Sequence, residues 1–176
     1  MRGLCGWFST HPLSDGADRL QRMLAGARTP TGDSAQMESE HAGLAVFGSV
    51  ARPRVVAVDG TLLATTGHPY FYQGNQRCSD PSEIARMVRA RGKDALSSLR
   101  GDFAIAAWDS GRKRGLIAVD RIGIHQLVYR RTDVSLAFAS TLDLLCGFPG
   151  IPRTLSKQAI FDYLFYHVSP GPDTIF

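Results

Sequence analysis

Cysteine is scarce in this chain of 176 residues, and the three present, Cys5, Cys78 and Cys146, are widely spaced with no CxxC pair. An odd, scattered count excludes a disulfide framework and a thiolate zinc site, and points to reduced thiols in a cytoplasmic protein. Histidine is nearly as sparse: the five residues show no HExxH or other ligand spacing, so no metal is expected. No apolar run approaches the roughly 20 residues of a membrane helix. The N-terminus lacks the extended apolar segment of a signal peptide, so no membrane partner is expected. Internal repeats, low-complexity tracts and phosphate-binding glycine loops are absent too. The net charge of +4 and a pI of about 9.2 invite a nucleic-acid reading, yet the cations are scattered apart from Gly111-Arg112-Lys113-Arg114-Gly115. That cluster lies between two apolar runs and suits a solvated hairpin tip. With no basic stripe interleaved with aromatics, nucleic acid is not an expected partner.

What remains is an ordinary globular composition, 44% hydrophobic and 20% charged, long enough for one domain with a proper core. Gly3 to Ser9 reads as a buried strand. Leu20, Met23, Leu24 and Ala27 recur at helical spacing. Arg28 to His41 is polar, contains Pro30 and Gly32, and reads as a loop; Gly43 to Ser49 returns to strand character. Arg54–Val58 and Thr61–Ala64, joined by Asp59-Gly60, form the strongest local signal, a hairpin with a type I′ turn. Asp80, Pro81 and Glu83 start a helix with a cap, a proline at its first position and a capping partner; Gly92 ends it. Phe103–Trp108 with Leu116–Val119, and Leu127–Tyr129 with Leu136–Ala139, are further strand pairs. Thr141–Cys146 is a short helix, and Ser156 caps a last one running to about Tyr166. Hairpins imply antiparallel pairing, so the fold class is α+β.

Several stretches together resemble one family. LRGDFAIAAWD, LIAVDRIGIHQLVY and LAFASTLDLL are similar to the second half of the glutaminase domain of asparagine synthetases, and DYLFYHVSPGPDTIF to the segment that follows it. That domain is a class II glutamine amidotransferase. The resemblance implies a four-layer αββα Ntn-hydrolase sandwich of two antiparallel sheets. Residues 1–155 would be the amidotransferase type 2-like domain, and 156–176 a helix and linker leading toward a synthetase domain. The family's synthetase domain carries a Ser-Gly-Gly-x-Asp-Ser loop that this chain does not contain. ATP and magnesium are therefore expected only in such a partner domain of the ATP pyrophosphatase type, in cis or in trans, and no cofactor in this one.

The resemblance also assigns site residues. Cys5 in LCGWFS falls at the nucleophile of the family's Cys-Gly-Ile. That chemistry needs the cysteine at residue 1, where its own α-amine takes the thiol proton. Here four residues precede it, and Arg2 is too large for ordinary methionine removal, so exposure would need self-cleavage, another protease or a later start. Cys5 is equally readable as a small buried strand residue. Asp59-Gly60-Thr61 matches the family's Asn-Gly-Glu, which supplies two oxyanion donors. An ionised Asp59 only accepts, so Gly60 keeps its N–H but one donor is lost, and Asp-Gly is also simply a preferred hairpin pair. Asp80 matches the carboxylate that holds the glutamine ammonium, and it also reads as a helix cap. Gly48 occupies the place of the arginine that grips the glutamine carboxylate, with Arg52 or Arg54 as nearby substitutes; Thr61 takes the glutamate's place. Asp120 and Arg121 read as structural, and His125 as a lone surface residue. Two functions follow. One is an amidotransferase-type domain of an asparagine-synthetase-like, ATP-dependent amide-forming enzyme, its glutaminase site degenerate. The other is an active glutaminase that releases ammonia from glutamine after processing to Cys5.

Overall fold

Alternation along the first strand sets the layers. In the computed structural model, which describes residues 3–26, 34–48 and 54–167, β1 (Gly3–Ser9) is buried along its whole length. Leu4 and Phe8 enter one apolar cluster, Cys5 and Trp7 a different one on the other side of the sheet. The remaining elements follow in chain order: α1 (Gly16–Ala25), β2 (Ser34–Ser39), β3 (Ala42–Phe47), β4 (Val55–Val58), β5 (Thr61–Gly67), β6 (Phe71–Gln73), β7 (Gln76–Cys78) and α2 (Pro81–Arg91). A 3₁₀ turn (Gly92–Ser97) leads to β8 (Phe103–Asp109), β9 (Arg114–Val119), β10 (Val128–Arg131), β11 (Ser135–Ala139), α3 (Leu142–Leu145) and α4 (Lys157–Tyr166).

Two antiparallel sheets face each other. The first has the order β10-β11-β1-β3-β2, the second β4-β5-β8-β9, and β6-β7 is a separate ribbon. Between the sheets lie Leu4, Phe8, Leu44 and Phe138 from the first and Leu62, Ala64, Ala106 and Trp108 from the second. The helices α1 and α3 cover the outer face of the first sheet through Leu20, Met23, Leu144 and Leu145. The helix α2 covers the outer face of the second through Ile84, Ala85 and Val88. This is the expected αββα sandwich. Three buried clusters rather than one follow from strands that are apolar on both faces, a pattern natural to a sheet covered on both sides.

The expected elements are present with adjusted limits, and four points differ. Ser34–Ser39, expected as loop, is an edge strand whose side chains are mostly exposed; pairing of Ala35 and Met37 with Val46 and Leu44 holds it, not its own apolar content. The N-terminal part of that expected loop lies outside the described residues. β5 continues past Ala64 to Gly67 because Thr65 and Thr66 still pair with Ile105 and Ala104 of β8. The β6-β7 ribbon was not expected at all. At α2, Asp80 accepts from the Ser82 N–H at 3.0 Å as foreseen, whereas Glu83 pairs with Arg86 instead of turning back to the cap.

The Asp120 loop ties the second sheet to β10. Its buried carboxylate accepts from the N–H groups of Ile122, Gly123 and Ile124 through Oδ1 and from His125 through Oδ2. Burial works against the charge, but these donors outweigh it and pull the pKa down to about 2. Arg121, as expected of a structural residue, donates to the Ser97 carbonyl. Because the folded pKa lies below the ordinary value of about 3.9, this carboxylate contributes stability that is present above about pH 4 and lost as pH falls through about 2. Urea unfolding across pH 5 to 2 should therefore show falling stability. Asp120→Asn, which turns an N–H donor toward the His125 N–H, should lower the midpoint at pH 7 and flatten that acid dependence; an unchanged slope would show that other carboxylates set it.

Candidate functional site

The two ends of the sandwich are distinct, and strand register identifies them. β10 and β1 run parallel, both flanking β11, and Val128 stands opposite Ala139, which stands opposite Cys5. His125, three residues before Val128, thus lies just beyond the start of β1. At the other end Phe8 stacks on Trp108 at 5.5 Å, and a Cβ on Gly115 would come within 2.3 Å of the Phe8 ring. Trp108 pairs with Leu62, next to Thr61, so the Asp59-Gly60 turn belongs to the Phe8 end. Gly3 to Phe8 spans roughly 17 Å of strand.

Cys5 was expected beside that turn, and the structure places it elsewhere on two counts. Its side chain faces the helices, packed with Trp7, Met23, Ala45, Ala139 and Leu144 on the side away from the second sheet. It is fully buried, and burial raises the thiol pKa to about 12. The strand alternation that sends Leu4 and Phe8 inward forces this. Cys5 is also paired on both sides, with Ala45 and Ala139. An N-terminus at Cys5 would remove Leu4, whose N–H donates to Ser140 Oγ, whose carbonyl accepts from the Ser140 N–H, and whose side chain is wholly buried. Losing that burial alone costs about 1.5–3 kcal/mol.

Asp59 and Gly60 form a turn tip with φ of 49° and 76°, the left-handed pair a type I′ hairpin requires. The Asp59 carboxylate meets Arg86 at 3.4 Å, and Arg89 donates to its carbonyl. Space around Gly60 is open: a Cβ there would touch nothing within 4 Å. Thr61 is buried on the α2 side, and its hydroxyl has no hydrogen-bond partner among the described residues. Asp80 sits nine residues before Arg89 along α2, roughly 13 Å away, so the helix carries its cap toward the opposite end from Asp59. Gly48 follows Phe47, the partner of Gly3, and so stands at the β1-start end. Its φ of 109° suits glycine, and it brings no charge. Arg52 lies outside the described residues. Arg54 donates to the Gly67 carbonyl, at the β1-start end.

That end gathers residues that sequence reasoning passed over. Gly67 has φ of 84°, and a Cβ there would lie 2.3 Å from the Asp102 carbonyl oxygen and 2.6 Å from His125 Nε2, so only glycine fits. Asp102 accepts from His68 Nδ1 at 3.2 Å and His125 Nε2 at 3.1 Å. An ionised carboxylate only accepts, which fixes the protonated nitrogen on each ring. Burial alone would raise the Asp102 pKa, but the bonds from His125 and His68 hold it below the usual carboxylate range. His125 is therefore a paired residue, not the lone surface one expected. The signal available in sequence was Thr66-Gly67-His68, a glycine closing a β-run just as Gly60 opens one. Among the described residues no group of three or more His, Cys, Asp or Glu has metal-binding geometry, and no helix is long and apolar enough to cross a membrane.

The sequence profile of the glutamine amidotransferase domain matches residues 68–176, more than half of the chain. The chain belongs to that family. Among curated relatives, asparagine synthetase [glutamine-hydrolyzing] 2 of Bacillus subtilis (strain 168) is 32% identical over 114 residues, 61% of this chain and 15% of that protein. Asparagine synthetase [glutamine-hydrolyzing] 3 of the same organism is 25% identical over 112 residues, 64% of this chain and 17% of that protein. The domain thus matches less than a fifth of the length of either relative. Among solved structures, the glutamine phosphoribosylpyrophosphate (PRPP) amidotransferase from B. subtilis, complexed with ADP and GMP, superposes with a TM-score of 0.52 over 83% of this chain and 42% of that one. At 14% identity this likeness establishes the Ntn-hydrolase fold alone.

The buried position of Cys5 predicts how substitutions behave. Cys5→Ser puts a hydroxyl without a partner into an apolar cluster, at a cost of about 1–3 kcal/mol. Cys5→Ala leaves only a small gap, costing about 0.5–1.5 kcal/mol. Urea unfolding should rank the variants wild type, alanine, serine in falling stability; a serine variant as stable as wild type would place the side chain in a polar site.

Proposed function

We propose that this amidotransferase-type domain is catalytically silent and serves an asparagine-synthetase-like, ATP-dependent amide-forming system as its scaffold. The observation that carries the reading is the placement of Cys5: a thiol with pKa raised to about 12, inside the helix-side core, on the face of its sheet turned away from the Asp59-Gly60 turn. At pH 8 a thiol of that pKa is ionised in about one molecule in ten thousand, too little for a nucleophile without a base. Gly3-Leu4 also match the Gly-Ile of the family's Cys-Gly-Ile in a second register, which puts Arg2 in the cysteine's place. A guanidinium has no lone pair to attack with. Gly48, in the place of the carboxylate-gripping arginine, likewise brings no cation to the β1-start end.

The partner in this reading is a synthetase domain of the ATP pyrophosphatase type, in cis or in trans, that would hold ATP and magnesium. The length of the relatives supports it, since most of each lies beyond the match. So does α4, which leaves Phe161, Leu164 and Phe165 at least 61% exposed, an apolar face of the kind that a neighbouring domain covers. A reduced, cytoplasmic setting fits the free cysteines.

The test is ammonia release from glutamine by the purified protein, with N-terminal mass measured on the same sample. The expected result is an intact leader before Cys5 and no release above the uncatalysed rate. Sustained, glutamine-saturable release from chains beginning at Cys5 would overturn the proposal in favour of the active glutaminase.

A further inference from the structure

A cleft of about 490 Å³ opens on the outer face of the second sheet, between the C-terminal end of α2 and the β8-β9 hairpin. Its position at the Asp59-Gly60 end makes it independent of the glutaminase question. Period-two alternation explains the floor: Thr61, Ala107 and Leu116 point to the α2 side, and two of the three are small, so the helix end does not fill the space. The volume is in the range of small-molecule sites, about 300–1,000 Å³.

The walls are cationic. Arg89, Arg91 and Lys93 come from the end of α2 and the turn after it, Arg112 and Arg114 from the hairpin. Against these five stand two carboxylates, Asp94 and Asp109, and Asp109 is already engaged by Arg112 at 2.7 Å. Some of the charge has a structural duty. Arg89 and Arg91 answer the helix C-terminal dipole, and they bond the Asp59 carbonyl and Ser98 Oγ respectively. Lys93 and Arg114 have no side-chain partner among the described residues. The floor adds a second, independent sign: Thr61 is 1% exposed and its Oγ1 is buried without a hydrogen bond among the described residues. A buried hydroxyl left unpaired costs about 1–3 kcal/mol, a cost that an acceptor in the cleft would remove.

We propose that this cleft binds a phosphoanhydride chain, the di- or triphosphate of a nucleotide or a free polyphosphate. Lys93 and Arg114 neutralise its outer oxygens, the spare N–H groups of Arg89 and Arg91 bind along it, and Thr61 Oγ1 donates to the innermost oxygen. Several cations on two walls suit an extended polyanion better than a single carboxylate, and fork-shaped guanidinium groups match phosphoryl oxygens.

The test is calorimetric titration of the full chain with inorganic triphosphate, ATP and citrate at fixed ionic strength. Saturable triphosphate binding should be at least tenfold tighter than citrate binding. Equal affinity for ATP and triphosphate assigns the site to the phosphate chain alone, and tighter ATP assigns a nucleotide; both support the proposal. The exposed double variant Lys93→Ala/Arg114→Ala should weaken triphosphate at least tenfold with an unchanged circular dichroism spectrum. Thr61→Val, equal in shape, should weaken it several-fold without lowering stability, because the hydroxyl it removes is unpaired. Absence of saturable binding at millimolar triphosphate, citrate binding equal to triphosphate, or undiminished binding by the double variant would each overturn the proposal, as would affinity for an RNA oligomer without affinity for triphosphate.

Discussion

Everything in this domain hangs on a central strand buried on both faces and paired along both edges. β1 lies between β3 and β11, and its alternation divides Leu4 and Phe8 from Cys5 and Trp7. The inter-sheet core needs Phe8, which stacks on Trp108 and lies 4.9 Å from Phe138, so the strand cannot be rotated to bring Cys5 inward. A one-residue slip would exchange the two faces and lose both clusters. The strand thus fixes the fold and turns Cys5 into the helix-side core at the same time.

The same register separates two regions that look adjacent in sequence. Thr61 and Gly67 are six residues apart in one strand, yet they stand at opposite ends of the sandwich. The end with Gly67 brings together Arg54, His68, Asp102 and His125 beside the start of β1. The end with Thr61 carries the Asp59 turn, the cationic hairpin and the cleft under α2.

Much of the architecture was legible because local signals and burial agreed. The Asp59-Gly60 hairpin, the Asp80-Pro81 helix start and the Ser156 cap all depend on a few neighbouring residues, and Ser156 does accept from the Ala159 N–H at 3.2 Å. β2 was not legible, since a polar edge strand owes its form to a partner across the sheet. The site was the least legible part. A Cys-Gly pair and a residue-Gly-residue motif can each be matched in more than one register, and only strand pairing tells which face and which end a residue reaches. Motif alone does not separate Asp59-Gly60 from Thr66-Gly67, or Cys5-Gly6 from Arg2-Gly3. The bond between His125 and Asp102 joins residues 23 apart and left no local trace.

Catalytic silence rests most directly on the inaccessibility of one thiol, Cys5. The native, unprocessed chain can be treated with a glutamine-mimicking electrophile, with and without excess glutamine, and each cysteine followed by peptide mass mapping. Cys78 and Cys146, only partly buried, supply the internal comparison. Cys5 in the helix-side core should stay unmodified until denaturant opens the sandwich, with glutamine making no difference. Rapid labelling of Cys5 in the folded chain, suppressed by glutamine, would contradict the account.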